Sequence, residues 1–259
     1  MSSSVSGERL RNRAAAALAG AAALGLVGAP SPALAPAAPV PSVQVMVVGR
    51  GGAILAPART VTAAAATLDV SGRTCSVAAA TPLAVLADLR SAGGPAFGVR
   101  DYGHCGGAPA SASELFVYTL GGERNRGQDG WEYKVGGAAG STGAGDPSGA
   151  KGNGRLLYPG ARVLWFWCQA TAGGCERTLE LSAPDVRHGR PLTATVYAYD
   201  NEGRGAPVRG ATVSLGGRRA VTGAGGRATL TAPAAPGRYR ATAARSGTVP
   251  AFPVTVTVG

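Results

Sequence analysis

The sequence predicts an α+β domain with one helix on a mixed sheet, followed by an all-β antiparallel sandwich. Only one window, near residues 81–92, has the caps and the leucine spacing of a good helix. Most other ordered stretches alternate with period two, as half-buried strands do. From Leu179 the strand-like stretches become short and regularly spaced, with Gly/Pro turns between them, which is the texture of a sandwich.

The first 37 residues stand apart. "MSSSVSGERLRNR" carries Arg9, Arg11 and Arg13, and "AAAALAGAAALGLVGA" then runs uncharged from Ala14 to Ala29. "PSPALAPAAPVPS" follows, rich in Pro and in Ala-x-Ala spacing. These are the three regions of a secretory leader. The apolar run is shorter than the ~20 residues that span a bilayer. Cleavage after Ala37 leaves the small residues Ala35 and Ala37 at the cut. Residues 1–37 are therefore expected to be a signal peptide, the mature chain to carry no membrane span, and the protein to be secreted.

After the leader, "VQVMVVGRGGAILAPARTVTA" reads as a hairpin: Val43, Val45 and Val47 alternate with Gln44, Met46 and Val48, and "GRGG" turns the chain. "ATLDVSGRTCSV" is a second strand-turn-strand stretch. Thr81 can cap a helix that starts at Pro82, buries Leu83, Leu86 and Leu89, and ends at Gly93 and Gly94. "AFGVRDYGHC" and "ELFVYTL" are strands. "WEYKV" places Trp131, Tyr133 and Val135 on one face. A long Gly-rich loop runs from Gly136 to Gly154, and "ARVLWFWC" and "CERTLEL" close the unit. The order of elements argues for a helix packed across a mixed sheet over residues 38–181. In the second domain, residues 182–259, "PLTATVYAYD" puts Leu192, Ala194, Val196 and Ala198 on one face, and "ATVSL", "RATLTA", "GRYRATAA" and "FPVTVTV" follow as strands.

The net charge is +11, with 25 lysines and arginines of which only Lys134 and Lys151 are lysines. The arginines are spread along the chain without a run of five, as on a generally basic surface. That spread argues against a nucleic-acid partner.

Export makes the four cysteines legible as disulfides, although four allow three connectivities. Cys168 and Cys175 flank the turn-rich "QATAGG" and would face each other across a hairpin, so they are the first expected pair. Cys75–Cys105 follows by elimination. Metal is the alternative, and it is short of ligands: there is no C-x-x-C, and the histidines are His104 and His188. No metal and no cofactor are expected.

Chemistry-bearing patterns are sparse. The Gly-rich loop is not a phosphate loop, because Lys151 stands between Ala150 and Gly152 rather than inside G-x-x-x-x-G-K-[ST]. No G-x-S-x-G occurs, and Asp101, Glu114, Asp129, Glu132 and Asp146 form no recognisable pair with a base. The expectation is a protein that is not an enzyme, an extracellular hydrolase being the weakest of the readings. The aromatics remain. Trp131 and Tyr133 share one strand face; Trp165 and Trp167 share another, with Leu164 and Phe166 opposite. Either both faces of that strand are buried and all of it is core, or the tryptophans form an exposed platform for a ligand. In the first case Trp165 or Trp167 packs against Leu83, Leu86 and Leu89.

"TPLAVLADLRSAG", "DGWEYKVGG" and "PGARVLWFWC" together resemble a secreted bacterial domain family of unknown function related to the C-terminal β domain of transcobalamin. The matching residues are Gly130, Trp131, Tyr133, Val135 and Gly136, then Gly160, Val163 and Trp165, within residues 40–178. The resemblance implies a β-grasp-like fold and binding or display rather than catalysis. In transcobalamin a helical barrel forms the other wall of the corrinoid site. No such barrel is written here, so corrinoid binding is not expected. "VTGAGGRATLTAPAAPGRYRATAA" resembles bacterial Ig-like domains. The expected function is that of an exported, non-enzymatic binding or display protein. The alternative is a small-ligand or glycan binder using Trp131, Tyr133, Trp165 and Trp167 as a platform. The expected partner is a glycan, a small ligand or an extracellular protein.

Overall fold

Turn residues and alternation cut the first half into ten strands and one helix: β1 (Ser42–Val48), β2 (Ile54–Thr62), β3 (Ala66–Val70), β4 (Arg73–Val77), α1 (Pro82–Ser91), β5 (Phe97–Asp101), β6 (Leu115–Leu120), β7 (Glu123–Arg124), β8 (Gly130–Val135), β9 (Ala138–Ala139) and β10 (Arg162–Cys168). The computed structural model describes residues 40–103, 105 and 115–259. The expected leader, His104 and Glu114 lie outside the described residues.

β1 turns back on β2 through a 3₁₀ turn at Arg50–Gly52, where Gly51 has φ +62°. β1 also pairs in parallel with β10, Val45 beside Val163 and Val47 beside Trp165. A parallel pair needs a long crossover, and the chain between β1 and β10 supplies it, helix included. β10 pairs antiparallel with β8. The sheet order is β2-β1-β10-β8-β9, so the last of its five strands in sequence sits at the centre. α1 begins where expected: Thr81 Oγ1 accepts from Ala84 N at 3.3 Å, and Pro82 fills the first turn. Its Leu83, Leu86 and Leu89 are buried in one core with Val43, Val45, Val47, Val163, Trp131 and Trp165. The β3–β4 hairpin and the three-stranded sheet β5-β6-β7 complete this half.

The second half contains β11 (Thr178–Ser182), β12 (Pro191–Tyr199), β13 (Gly205–Pro207), β14 (Thr212–Leu215), β15 (Arg218–Val221), β16 (Arg227–Thr231), β17 (Gly237–Ala244) and β18 (Val254–Val258). β12 is flanked by β11, β13 and β16 in one antiparallel sheet; β15-β14-β17-β18 form the other. Their shared core is built from small residues such as Ala194, Ala198, Ala241 and Ala243, with Leu192, Val196, Leu215 and Val256. The protein is thus mostly β, with several antiparallel pairings and one α-helix among the described residues.

β11 pairs with β12 along Thr178–Ser182 and contributes Leu179 and Leu181 to the second core. One expectation needs correction. "CERTLEL" does not form a hairpin with "VLWFWC", because β10 is already flanked by β1 and β8. The chain turns sharply instead, with Thr171 and Gly174 bonded to each other, and passes to the other sheet.

Candidate functional site

β8 and β10 build the site. Their antiparallel register sets Trp165 beside Tyr133 and Trp167 beside Trp131. The first pair of rings lies 5.4 Å apart at 41°, the second 5.8 Å apart and edge to face. Such cross-strand aromatic pairs stabilise a sheet beyond the area they bury. All four side chains are buried, Trp165 at 1% exposure and Trp131, Tyr133 and Trp167 at 3–6%. An exposed platform of these four rings is therefore not present. In a one-helix domain with few large residues, the largest rings go inside. Leu164 and Phe166 are buried as well, against Met46 and Val48 of β1 and Val249 and Phe252 of the second half. The central strand is packed on both faces.

The rings are still reachable. A cleft of about 290 Å³ opens over Trp131, Tyr133 and Trp165, bounded by Leu115 to Val117 of β6 and by Thr142 to Ala144 of the Gly-rich loop. That is near the lower end of the volumes that hold small molecules. Two polar atoms of the rings are satisfied within the protein. Trp131 Nε1 donates to Glu123 O at 3.0 Å, and Tyr133 Oη donates to Thr142 O at 2.9 Å. Burial pushes the Tyr133 hydroxyl above its ordinary range, so it stays protonated and keeps donating. Trp165 Nε1 is buried and finds no acceptor among the described residues. An unpaired buried N–H costs about 1–3 kcal/mol, and native proteins rarely leave one without a reason.

The Gly-rich loop is an ordered wall. Asp146 Oδ1 accepts from Ser148 N at 2.8 Å and from Ser148 Oγ at 2.7 Å, and Thr142 Oγ1 donates to Gly149 O. Ala144 O accepts from Leu83 N, which ties the loop to the start of α1. The glycines have local causes. A Cβ on Gly140 would collide with the Tyr133 ring, and one on Gly149 with the Arg155 carbonyl. The loop lies this close to the aromatic cleft because it lacks side chains there.

Cys75 is joined to Cys105 and Cys168 to Cys175. Asp101 lies close enough to Cys75 and Cys105 for the three to surround an ion. Sulfurs bonded to each other are not thiolates, and thiolates are what a metal would need. Cys105 N donates to Asp101 Oδ2 instead. His188 is an exposed turn residue whose ring contacts Gly259 O. Asp129 accepts from Ala170 N and so holds the disulfide loop; Glu132 is exposed.

Lys134 does work that the sequence reading missed. It lies on the reverse face of β8, fully buried. Its Nζ donates to Asp200 O at 2.8 Å, Tyr199 O at 3.1 Å and Thr178 Oγ1 at 3.3 Å, all in the second half. The only signal was its identity: one of two lysines in an arginine-rich chain, set inside a strand. Burial pulls its pKa from 10.5 down to about 8, against the pull of Asp200 and Glu202. Between those values the unfolded chain holds a proton that the folded protein has shed, so stability should rise with pH from about 8 upward. Urea unfolding between pH 7.5 and 9.5 should show a gain of at most about 3 kcal/mol. Lys134→Met should flatten that rise; an unchanged slope would remove Lys134 as its source.

No protein-family model, curated protein or solved structure matches this chain. The site therefore has to be read from its own chemistry: a small aromatic cleft, two ring polar groups already satisfied, and one indole N–H left over.

Proposed function

We propose that the chain is an exported, non-enzymatic binding protein, a β-grasp-like domain followed by an Ig-like domain, that holds a small, largely apolar ligand in the aromatic cleft. The observation that carries this is Trp165, which lines the cleft and whose buried Nε1 has no acceptor among the described residues. A ligand with a carbonyl or ether oxygen on an apolar body would satisfy it and cover the rings. The groups that converge are ring faces and the lone carboxylate of Glu132, and the Tyr133 hydroxyl is already engaged, so no nucleophile–base pair lines the cleft, which favours binding over catalysis.

The β-grasp-like reading is supported by one helix against a mixed sheet with a central parallel pair, β1 and β10. The resemblance to the transcobalamin-related family falls on β8 and β10, the two strands that form the back of the cleft. The Ig-like reading is supported by two antiparallel sheets around one core. Export is supported by the leader sequence and by two disulfides, which persist outside the reducing cytosol. Among the described residues no helix is long and apolar enough to cross a membrane.

The test is a small-molecule screen on residues 38–259 with tryptophan fluorescence as the readout. Aromatic or alicyclic compounds bearing one carbonyl should bind. Trp165→Phe keeps the ring and removes the N–H, so it should weaken those compounds about fivefold or more while the fold persists. No hit from such compounds, or hits indifferent to Trp165→Phe, would overturn the reading.

A further inference from the structure

A second aromatic surface adjoins the cleft, on the solvent face of β5-β6-β7, and Phe116 lines both. Along β6, Leu115, Val117 and Leu120 point into the core, which turns Phe116 and Tyr118 outward. Arg100 of β5 stands directly beside Phe116 in the register. Tyr102 and Phe116 are 61% and 44% exposed, and their rings lie 6.2 Å apart, tilted by 49°. The guanidinium groups of Arg100 and Arg124 lie 4.9 Å and 5.5 Å from the centre of the Tyr118 ring. Gly98 leaves the space that this ring occupies: a Cβ there would stand 3.1 Å from it. Arg100 and Phe116 also line a groove of about 340 Å³ that reaches Asn125 and Gln128.

We infer that this face binds an acidic glycan, a chain of uronate-type sugars. The charge argues for the anion. Two exposed arginines stack on one ring, and among the described residues neither forms an ion pair with a carboxylate. A guanidinium lying over an aromatic ring keeps its N–H edge free, and that edge matches a carboxylate with two parallel hydrogen bonds. The rings argue for sugar. The exposed Tyr102–Phe116 pair offers apolar surface for the C–H face of a pyranose, and Gln128 offers an amide for its hydroxyls, the Asn125 amide being held by Trp131 N and Val117 O. Asp129 and Glu132 line the same groove, so the unit whose carboxylate is bound belongs at the Arg100–Arg124 end, with the rest of the glycan running away from the groove's acids. A nucleic-acid base fits less well, because the arginines already cover the face of Tyr118. A second copy of the chain fits less well too, since two such faces would bring four guanidinium groups together. This site shares Phe116 with the Trp165 cleft but neither Arg100 nor Arg124, so the arginine variants test it apart from that cleft.

The test is calorimetric titration of residues 38–259 with hexagalacturonate, and with maltohexaose as the neutral counterpart. The acidic oligomer should bind at least about tenfold tighter than the neutral one, and added salt should weaken it. Arg100→Gln/Arg124→Gln and Phe116→Ala should each lower that affinity about tenfold with the melting temperature unchanged. If the arginine pair melts early, Arg100→Lys/Arg124→Lys keeps the charge and the stem, and its affinity must fall between the two. Equal binding of both oligomers, no binding of either, or variants without effect would each overturn the inference. So would tighter binding of an oligothymidylate, or a dimer of the free chain that Phe116→Ala dissolves.

Discussion

Replacing Trp165 with alanine should destabilise the protein by about 3–5 kcal/mol, the range for truncating a buried large aromatic. Trp165 is 1% exposed, on the central strand of the main sheet. Its neighbours are Val47 on one side and Tyr133 on the other, and α1 closes the same core. The hole left by an indole could not be filled by neighbours fixed in two strand ladders. Tyr158→Ala is the matched control. At 63% exposure it should stay within about 0.5 kcal/mol of the parent. Urea denaturation of both variants reads the difference directly, and comparable stability of Trp165→Ala and the parent would take this residue out of the core. Trp165→Phe separates roles that alanine confounds, since it keeps most of the volume while deleting the N–H.

Removing Cys75–Cys105 should cost more than removing Cys168–Cys175. The two bridges close loops of sequence separation 30 and 7. Loop-closure entropy gives about 3–4 kcal/mol for the first and about 2–3 kcal/mol for the second. Location points the same way. Cys75 and Cys105 lie in the main core, where the first bridge ties β4 to the end of β5. The second closes a short turn that hydrogen bonds from Thr171 and Gly174 already hold. Cys75→Ala/Cys105→Ala and Cys168→Ala/Cys175→Ala, compared by thermal unfolding, decide the order. A larger loss for the second pair would mean that the entropy of the unfolded chain does not set the ranking.

The local pieces were legible because each follows from a few adjacent residues. The helix could be placed from Thr81, Pro82 and three leucines, and the β1–β2 turn from "GRGG". What pairs with what was less legible. Cys168 and Cys175 invited a hairpin, yet β10 has neighbours on both sides before β11 begins. That occupancy is a long-range fact which no short window contains. The aromatic strand was ambiguous for a related reason. Alternation says that Trp165 and Phe166 point opposite ways, but only the packing of Val249 and Phe252 from far along the chain shows that both sides are covered. Phe116 and Tyr102 drew no attention beside three tryptophans, although the weaker alternation of "LFVYTL" already turned Phe116 away from Leu115 and Val117.

Evolution often shuffles domains like these as interchangeable cassettes, joined by linkers that tolerate any neighbour. Here the reverse side of the main sheet, with Met46, Leu164 and Phe166, is roofed by the second half and latched to it by Lys134. Pro39–Gly259 is one compact unit. A recombination point between the halves would leave one partner with a bare apolar sheet face and the other with Val249 and Phe252 uncovered. A substitution on that hidden face in one half therefore alters the surface on which the other is packed.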